Sequence, residues 1–298
     1  MIHRFRAFVR VIAHVLAEST QEWLKDNGPR MGAALAFYSV LSIAPLLLIA
    51  VAFTGLFFDQ AIAREHLERQ MSDLVGKEGA GAIKVMLESG TKEGGKLATL
   101  LGIATLLFGA SGVFGELQAA MDAVWDVKPK PMGVWGFLRA RFLSFAMVIS
   151  IGFLLLISLI ISTLIAGLHA SLQGAVPQLE FLWHTTSSLI TLLIVTLLFA
   201  FIFKLLPDAK VAWRDVWFGA FLTAALFSVG KLAISLYLGK SGLASGYGAA
   251  GSLVVLIVWV YYSSQILFFG AEITHVIARR RTPKIEPTEN AELAHHKD

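Results

Sequence analysis

Residues 249–271 read AAGSLVVLIVWVYYSSQILFFGA, a run of 23 residues without a charge. A helix rises about 1.5 Å per residue, so the run reaches roughly 34 Å, enough to cross the hydrocarbon core of a bilayer. Because lipid offers the backbone no hydrogen-bond partner, a segment that crosses it has to be helical. The run therefore predicts a membrane-spanning helix.

Five more runs of this kind lie upstream, and only the last contains a charge, Lys231: 32–58, 97–115, 142–168, 185–203 and 216–238. The 298-residue chain is 56% hydrophobic and 15% charged, whereas soluble domains carry about 25% charged residues. The sequence predicts an all-α polytopic membrane protein, a bundle of six transmembrane helices with short interfacial helices.

Lysine and arginine are divided unevenly between the two sides of such a bundle. Residues 1–31, 116–141, 204–215 and 272–298 share one side and hold 17 of them. The other side holds seven, and six of these lie among seven acidic residues in 59–96. Since loops rich in lysine and arginine face the cytoplasm, both termini are predicted to be cytoplasmic.

Three segments are predicted to lie outside the six-span domain of residues 32–281. Residues 1–31 form a cytoplasmic amphipathic segment, because apolar residues line one side of a helix there. Residues 59–96 show helical spacing of apolar residues and form an extracytoplasmic helical segment, which offers a surface for envelope proteins. The tail, 282–298, holds two prolines and several acidic residues and is predicted to be disordered.

Lys231 is the clearest functional candidate, because a charge within the hydrocarbon is costly and marks a functional site by default. It shares a four-residue stripe with residues that are mostly small or polar, which is typical of a face turned to other helices. The stripe comprises Gly219, Thr223, Phe227, Ser235 and Gly239. The alternatives are a lysine that extends along the lipid to the headgroups, or a purely structural ion pair.

Further polar residues follow helical spacing within the spans or lie at their cytoplasmic ends. The candidates for contact with a transported substrate, besides Lys231, are Arg30, Tyr38, Glu116, Tyr261, Gln265 and Glu272. The charged ones, with Lys204, would form a charged mouth on the cytoplasmic side. The alternative is that they are ordinary helix-end charges in the headgroup layer.

Two features predict flexibility. Pro45 interrupts the first span and would kink its helix. The segment 241–248, SGLASGYG, precedes the sixth span, and glycine at this density permits a hinge at Gly246, Gly248 or the following Gly251. The alternative for both is ordinary bundle geometry.

The motifs of common enzymes are missing. The glycine-rich segment lacks the lysine and hydroxyl of a phosphate-binding loop, and the eight histidines follow no metal-binding spacing. The chain has no cysteine, so a thiolate metal site is excluded. We expect no catalytic residues, no metal, no cofactor and no nucleic-acid partner, and we expect that the protein is not an enzyme.

Three stretches carry a specific combination of residues: GAALAFYS at 32–39 with Ser42 and Pro45; Leu206-Pro207, Trp213, Gly219-Ala220, Leu226-Phe227 and Lys231; and Tyr247-Gly248-Ala249, WVYYS at 259–263, Gln265 and Gly270-Ala271-Glu272. In these the chain resembles the YihY/BrkB family of bacterial inner-membrane proteins. A weaker match surrounds Asp122 to Trp125, where the family often carries Asn in place of Asp122. The resemblance covers roughly residues 20–280.

The resemblance implies six spans with both termini inside, in the bacterial inner membrane. Lys231, Gln265 and Glu272 coincide with family motif positions. The family once carried a ribonuclease label, and the missing clustered carboxylates argue against that activity. Ideas about the family centre on envelope integrity and on movement of lipids or other solutes across the inner membrane.

Three hypotheses follow. The first is a transporter-like protein that moves a lipid or amphiphile between leaflets, with membrane lipids as its partners and Lys231 attracting a phosphate headgroup. The second is an ion or osmolyte carrier that couples Glu272 and Lys231. The third is a scaffold without transport that binds envelope proteins through 59–96.

Overall fold

The computed structural model describes residues 2–54, 112–131, 180–241, 251–282 and 285–294. These residues are mostly helical. The elements, in chain order, are α1 (Ile2–Lys25), α2 (Gly28–Thr54), α3 (112–124), β1 (Val127–Pro129), α4 (Glu180–Leu205), α5 (Trp213–Ser241), α6 (Gly251–Arg281) and β2 (Ala291–Leu293).

Three of these helices contain segments that are long and apolar enough to cross a membrane: Ser188–Leu205, Trp213–Ile234 and Leu253–Arg281. They correspond to the last three predicted spans. The first predicted span, 32–58, falls largely on α2. Of the span predicted at 97–115, only residues 112–115 are described, as the start of α3. The predicted span 142–168 and the segment 59–96 lie outside the described residues.

Two residues with positive φ end helices. Asn27, with φ 58°, follows α1, and α2 begins at Gly28-Pro29, where a proline in the first turn costs no hydrogen bond. Gly28 packs so closely on the Trp23 indole that a Cβ would lie 2.1 Å from its nitrogen. Asp126, with φ 51°, ends α3 and leads into β1.

The chain divides into two compact units. The first contains residues 1–19, 121–226 and 270–298, and the second contains 20–120 and 227–269. The core of the first includes Trp125, Phe203, Val216, Ile273 and Val276, and that of the second includes Leu35, Val255, Leu256 and Phe268. Both α5 and α6 contribute residues to each unit.

Within the first unit, α5 and α6 make a reciprocal contact of glycine and threonine. A Cβ on Gly219 would lie 1.7 Å from the Thr274 hydroxyl, and a Cβ on Gly270 would lie 1.9 Å from the Thr223 hydroxyl. Each hydroxyl donates to the carbonyl of the glycine four residues earlier in its own helix, over 2.7 and 2.8 Å. The helices are therefore antiparallel and closely packed here, without an unsatisfied hydroxyl.

The prediction of disorder in the tail is wrong for residues 285–294. β2 pairs antiparallel with β1, Pro287 forms a bridge with Ala209, and the amide of Lys210 donates to the Glu286 carbonyl. The tail thus satisfies backbone groups of 126–130 and 208–210, which its polar composition does not reveal. The prediction of an all-α fold is wrong to the extent of these two short strands.

The sixth helix is longer than predicted. α6 continues ten residues beyond 271, to Arg281. The added turns are held within the first unit, because Ile273, Val276 and Ala278 are buried and the terminal arginines are paired with acids. The span was predicted to end at residue 271, just before Glu272, but the Glu272 side chain is buried in the protein and does not mark a water-exposed end.

Candidate functional site

The second unit contains a narrow groove between α5 and α6. Lys231 lines it together with three aromatic residues, two aliphatic residues and a serine: Phe227, Ile234, Trp259, Tyr262, Ser263 and Ile266. The groove is too narrow to hold a water molecule. It combines a cation, two hydroxyl groups and aromatic faces.

The position of Lys231 on α5 is distinct from that of the exposed side chains nearby. Val229, Leu232 and Leu236 are each more than 60% exposed, whereas Gly230 and Ile234 are buried and Lys231 is half-buried. Lys231 thus lies on the side of α5 that contacts α6 within this unit.

Gln265 lies on α6 against a different helix. Its side-chain nitrogen would lie 1.9 Å from a Cβ on Gly32 of α2, so the glycine makes room for the amide. Among the described residues neither amide atom of Gln265 has a hydrogen-bond partner, although both atoms are buried. The structure therefore brings Gln265 to α2, and the lining of the Lys231 groove does not include it.

Four other predicted residues of this unit lie apart from the groove lining. Tyr38 packs its ring against Gly112 of α3, where a Cβ would lie 2.8 Å from the ring. Arg30 is exposed in the first turn of α2. Glu116 and Tyr261 are half-buried on α3 and α6.

Of the predicted hinges, Pro45 lies within α2, which continues as a helix on both sides of it. Gly251 is buried and is the first residue of α6, while Gly246 and Gly248 lie outside the described residues.

Glu272 belongs to the first unit, where it forms a buried cluster with a histidine. Its side chain is fully buried, and its carboxylate lies 4.0 Å from Nδ1 of His275, which is 3% exposed. The His275 ring packs on Trp125 with 5.2 Å between centroids. A buried carboxylate close to an imidazole can exchange a proton, so this pair is a second candidate site.

Sequence reasoning missed His275, although its spacing of three residues from Glu272 places both on one helix face. Trp125 could not be connected with them from the sequence, because it lies on a distant segment.

A buried carboxyl in the first unit joins two connecting segments. Asp122, at the end of α3, is 3% exposed and accepts a hydrogen bond of 2.7 Å from the amide of Asp208. Burial raises the pKa of Asp122 to about 7; the bond from the Asp208 amide lowers it, and the charge of Asp208 raises it. The backbone carbonyl of Asp208 in turn accepts a hydrogen bond from the amide of Thr288 in the tail.

Within the first unit, ion pairs join the end of α6 to α1 and to the start of α5. Arg279 and Arg280 contact the two carboxylate oxygens of Glu18 at 2.6 and 2.5 Å, and Arg281 contacts Asp215 at 2.5 Å. The hydrogen bond from Arg280 is the main reason why the pKa of Glu18 lies below its ordinary value. In the part of the chain that is described, no three His, Cys, Asp or Glu side chains converge as metal ligands.

Comparison with known proteins decides the family. A family model described as "Virulence factor BrkB" matches residues 19–294. The chain belongs to the BrkB family. It is similar to membrane proteins termed UPF0761 in Ralstonia nicotianae (25% identity, 84% of this chain and 55% of the relative), Rhodospirillum centenum (25%, 91% and 59%) and Legionella pneumophila (26%, 87% and 60%). No solved structure matches it.

The chain spans between half and two thirds of the length of these BrkB relatives. The relatives are called membrane proteins, and three helices of this chain have the length and composition of membrane spans. The resemblance seen in the sequence is confirmed, and the chain is a membrane protein of the BrkB and UPF0761 family.

Proposed function

We propose that this protein is a transporter-like protein of the bacterial inner membrane that moves a lipid or amphiphile between leaflets. The observation that carries the proposal is the position of Lys231 in a groove lined by aromatic and hydroxyl side chains of α6. The arrangement proposed is a bundle of six helices with both termini in the cytoplasm. The division of 17 against seven lysine and arginine residues supports this orientation.

In this proposal the cation of Lys231 attracts the phosphate of the substrate, and Tyr262 and Ser263 donate hydrogen bonds to it. Trp259 and Phe227, whose rings meet edge to face at 6.3 Å, offer apolar surface to the rest of the molecule. Because the groove is closed to water, transport requires that the side chains lining it move apart in this unit.

The test is lipid movement in vesicles that contain the purified protein. Phosphatidylglycerol carries a fluorescent headgroup, and a chemical quencher added outside removes the fluorescence of the lipid in the outer leaflet. The further loss of fluorescence measures movement from the inner leaflet. We expect wild-type protein to accelerate movement, Lys231→Ala to return the rate to that of protein-free vesicles, and Lys231→Arg to retain part of it.

The matched control is Leu232→Ala, one residue away but exposed, which should leave the rate unchanged. A wild-type rate for Lys231→Ala would remove Lys231 from the mechanism. No movement by wild-type protein would overturn the lipid proposal.

A second candidate function is an ion- or proton-coupled carrier, favoured by the buried pair of Glu272 and His275. In that case uptake of an osmolyte into vesicles depends on a pH or sodium gradient, and Glu272→Gln uncouples uptake from the gradient. Uptake that is indifferent to both gradients would contradict it.

The proposals that envelope proteins bind residues 59–96 and that the chain is not an enzyme need separate tests. Deletion of residues 59–96 tests the first proposal, because it should abolish the binding of envelope proteins to this chain. For the second, incubation of RNA with purified protein tests ribonuclease activity alone, and we expect the RNA to stay intact.

A further inference from the structure

The turn between α4 and α5 and the start of α5 carry large apolar side chains that are exposed in the described part of the chain. Trp213 and Trp217 are each 43% exposed, and Leu205, Phe218 and Phe221 are each more than half exposed. All five lie within the last residue of α4 and the first three turns of α5, at the ends of two segments suited to crossing a membrane. We call them the aromatic surface.

Tryptophan at the end of a membrane span prefers the layer between headgroups and acyl chains, because its ring is apolar and its N–H is polar. Trp213 and Trp217 lie 6.4 Å apart, and Phe201 packs edge-on against Trp213. In the proposed orientation the aromatic surface lies at headgroup depth, where lipids are the molecules expected to contact it.

Two cations border the aromatic surface. Lys204 donates a hydrogen bond to the carbonyl of Val211, and its nitrogen lies 5.8 Å from the centroid of Trp213. Arg214 is exposed and forms no ion pair with any residue in the described parts of the chain.

The acids close to this turn do not cancel these charges. Asp215 is buried and paired with Arg281, which leaves the carboxylate of Asp208 to offset one of the two cations, Lys204 and Arg214. Lys210 is paired with Glu286, so it adds no free charge. The edge of the aromatic surface therefore carries a net positive charge.

We infer that Lys204, Arg214 and the two tryptophans form a binding site for an anionic phospholipid of the adjacent leaflet, which is the cytoplasmic leaflet in the proposed orientation. Arg214 contacts the phosphate, and Lys204, beside Trp213, adds a second positive charge that attracts it. The aromatic surface contacts the glycerol and the upper part of the acyl chains. This site is separate from the Lys231 groove and does not depend on transport.

The natural chain has no cysteine, so a single reporter can be attached. Ala212→Cys, at an exposed position of the turn, is labelled with a small fluorophore and reconstituted in mixed phosphatidylglycerol and phosphatidylcholine. Only one of the two lipids is brominated at a time. If the site selects anionic lipid, brominated phosphatidylglycerol quenches the fluorophore more strongly than its mole fraction in the membrane predicts. This excess quenching should fall when salt is added.

Arg214→Gln should reduce the preference for phosphatidylglycerol about fivefold, as expected for the loss of one cation near a membrane surface. Lys128→Gln removes the same charge from β1, outside the aromatic surface, and should leave the preference unchanged. Equal quenching by the two lipids in wild-type protein, or an unchanged preference in Arg214→Gln, would overturn the inference.

Discussion

The two compact units use the same pair of helices in opposite ways. In the first, α5 and α6 meet through glycine and threonine, and each hydroxyl is satisfied within its own helix. In the second, they meet through large side chains around Lys231. At Gly230 the atoms nearest to a Cβ belong to two long side chains, those of Ile266 and Tyr262.

This difference separates a fixed contact from an adaptable one. Backbones that approach through glycine leave no side chain that can rotate to open a space. Aromatic and aliphatic side chains can change rotamer, so a groove between them can widen without separating the backbones. We therefore expect any motion that admits a ligand to occur in the second unit.

The largest difference in stability between the two kinds of contact is expected when their glycines are replaced by alanine. Gly219→Ala and Gly270→Ala each place a methyl group within 2 Å of a threonine hydroxyl. We expect each to cost roughly 3 kcal/mol, which exceeds the gain of about 1 kcal/mol in helix propensity. Thermal unfolding in detergent measures the loss.

Gly230→Ala is the matched variant in the second unit. Because the side chains opposite can move aside, we expect a change of less than about 1 kcal/mol. Combining Gly270→Ala with Thr223→Ala should restore part of the lost stability, since the hydroxyl at 1.9 Å is removed while the Cβ of residue 223 at 2.8 Å remains. Equal losses at all three glycines would show that the two contacts do not differ.

The second largest effect is expected at Asp122, whose folded pKa of about 7 lies above its ordinary value of 3.8. As pH rises, the unfolded chain loses this proton first, so stability falls between about pH 4 and pH 7 and then levels off. Between pH 5 and pH 8 the fall amounts to about 2–3 kcal/mol. Asp122→Asn keeps an acceptor for the Asp208 amide and should remove the fall.

The measurement is the unfolding temperature of both proteins from pH 5 to pH 9. A variant that follows the wild-type pH profile would show that another group is responsible. Asp208→Asn serves as a control, because it removes a neighbouring charge but leaves the Asp122 carboxyl buried.

The membrane helices were predictable because charged side chains are costly in lipid, so a span is visible in the sequence as a long run with few or no charges. α5 contains the whole of the predicted span 216–238, and Gly219 and Thr223 of its stripe contact α6 within the first unit. Composition alone could not give the register that places Gly219 against Thr274, because this depends on the rotation of two helices about their axes.

The parts that were missed depend on partners far away in the sequence. The tail reads as disordered, and its strand exists because residues 127–129 offer backbone groups far away in the sequence. Val127 and its partner Leu293, for example, are 166 positions apart. Likewise, α6 continues to Arg281 because Glu18 and Asp215 supply acids for its arginines. Local periodicity contains neither fact.

A smaller loss of stability is expected when the ion pairs between α1 and α6 are removed. The pKa of Glu18 is lowered, so its ion pairs stabilise the protein above about pH 4.5 and are lost as the pH falls below that value. Since Glu18 is partly exposed, Glu18→Gln should cost about 1 kcal/mol or less at pH 7. Hydrogen exchange of residues 10–19 should then rise, and this rise should shrink towards pH 3.5.

The smallest effect is expected at the ion pair that accompanies the strand pairing. Lys128 and Glu292 lie 3.2 Å apart, and each side chain is about half exposed, so Glu292→Gln should cost less than about 0.5 kcal/mol. The backbone ladder between β1 and β2 and the buried Ala291 remain in this variant and hold the tail. Proteolysis of the tail at an unchanged rate would agree with this, whereas rapid cleavage would show that the side-chain pair, and not the backbone, fixes the tail to the first unit.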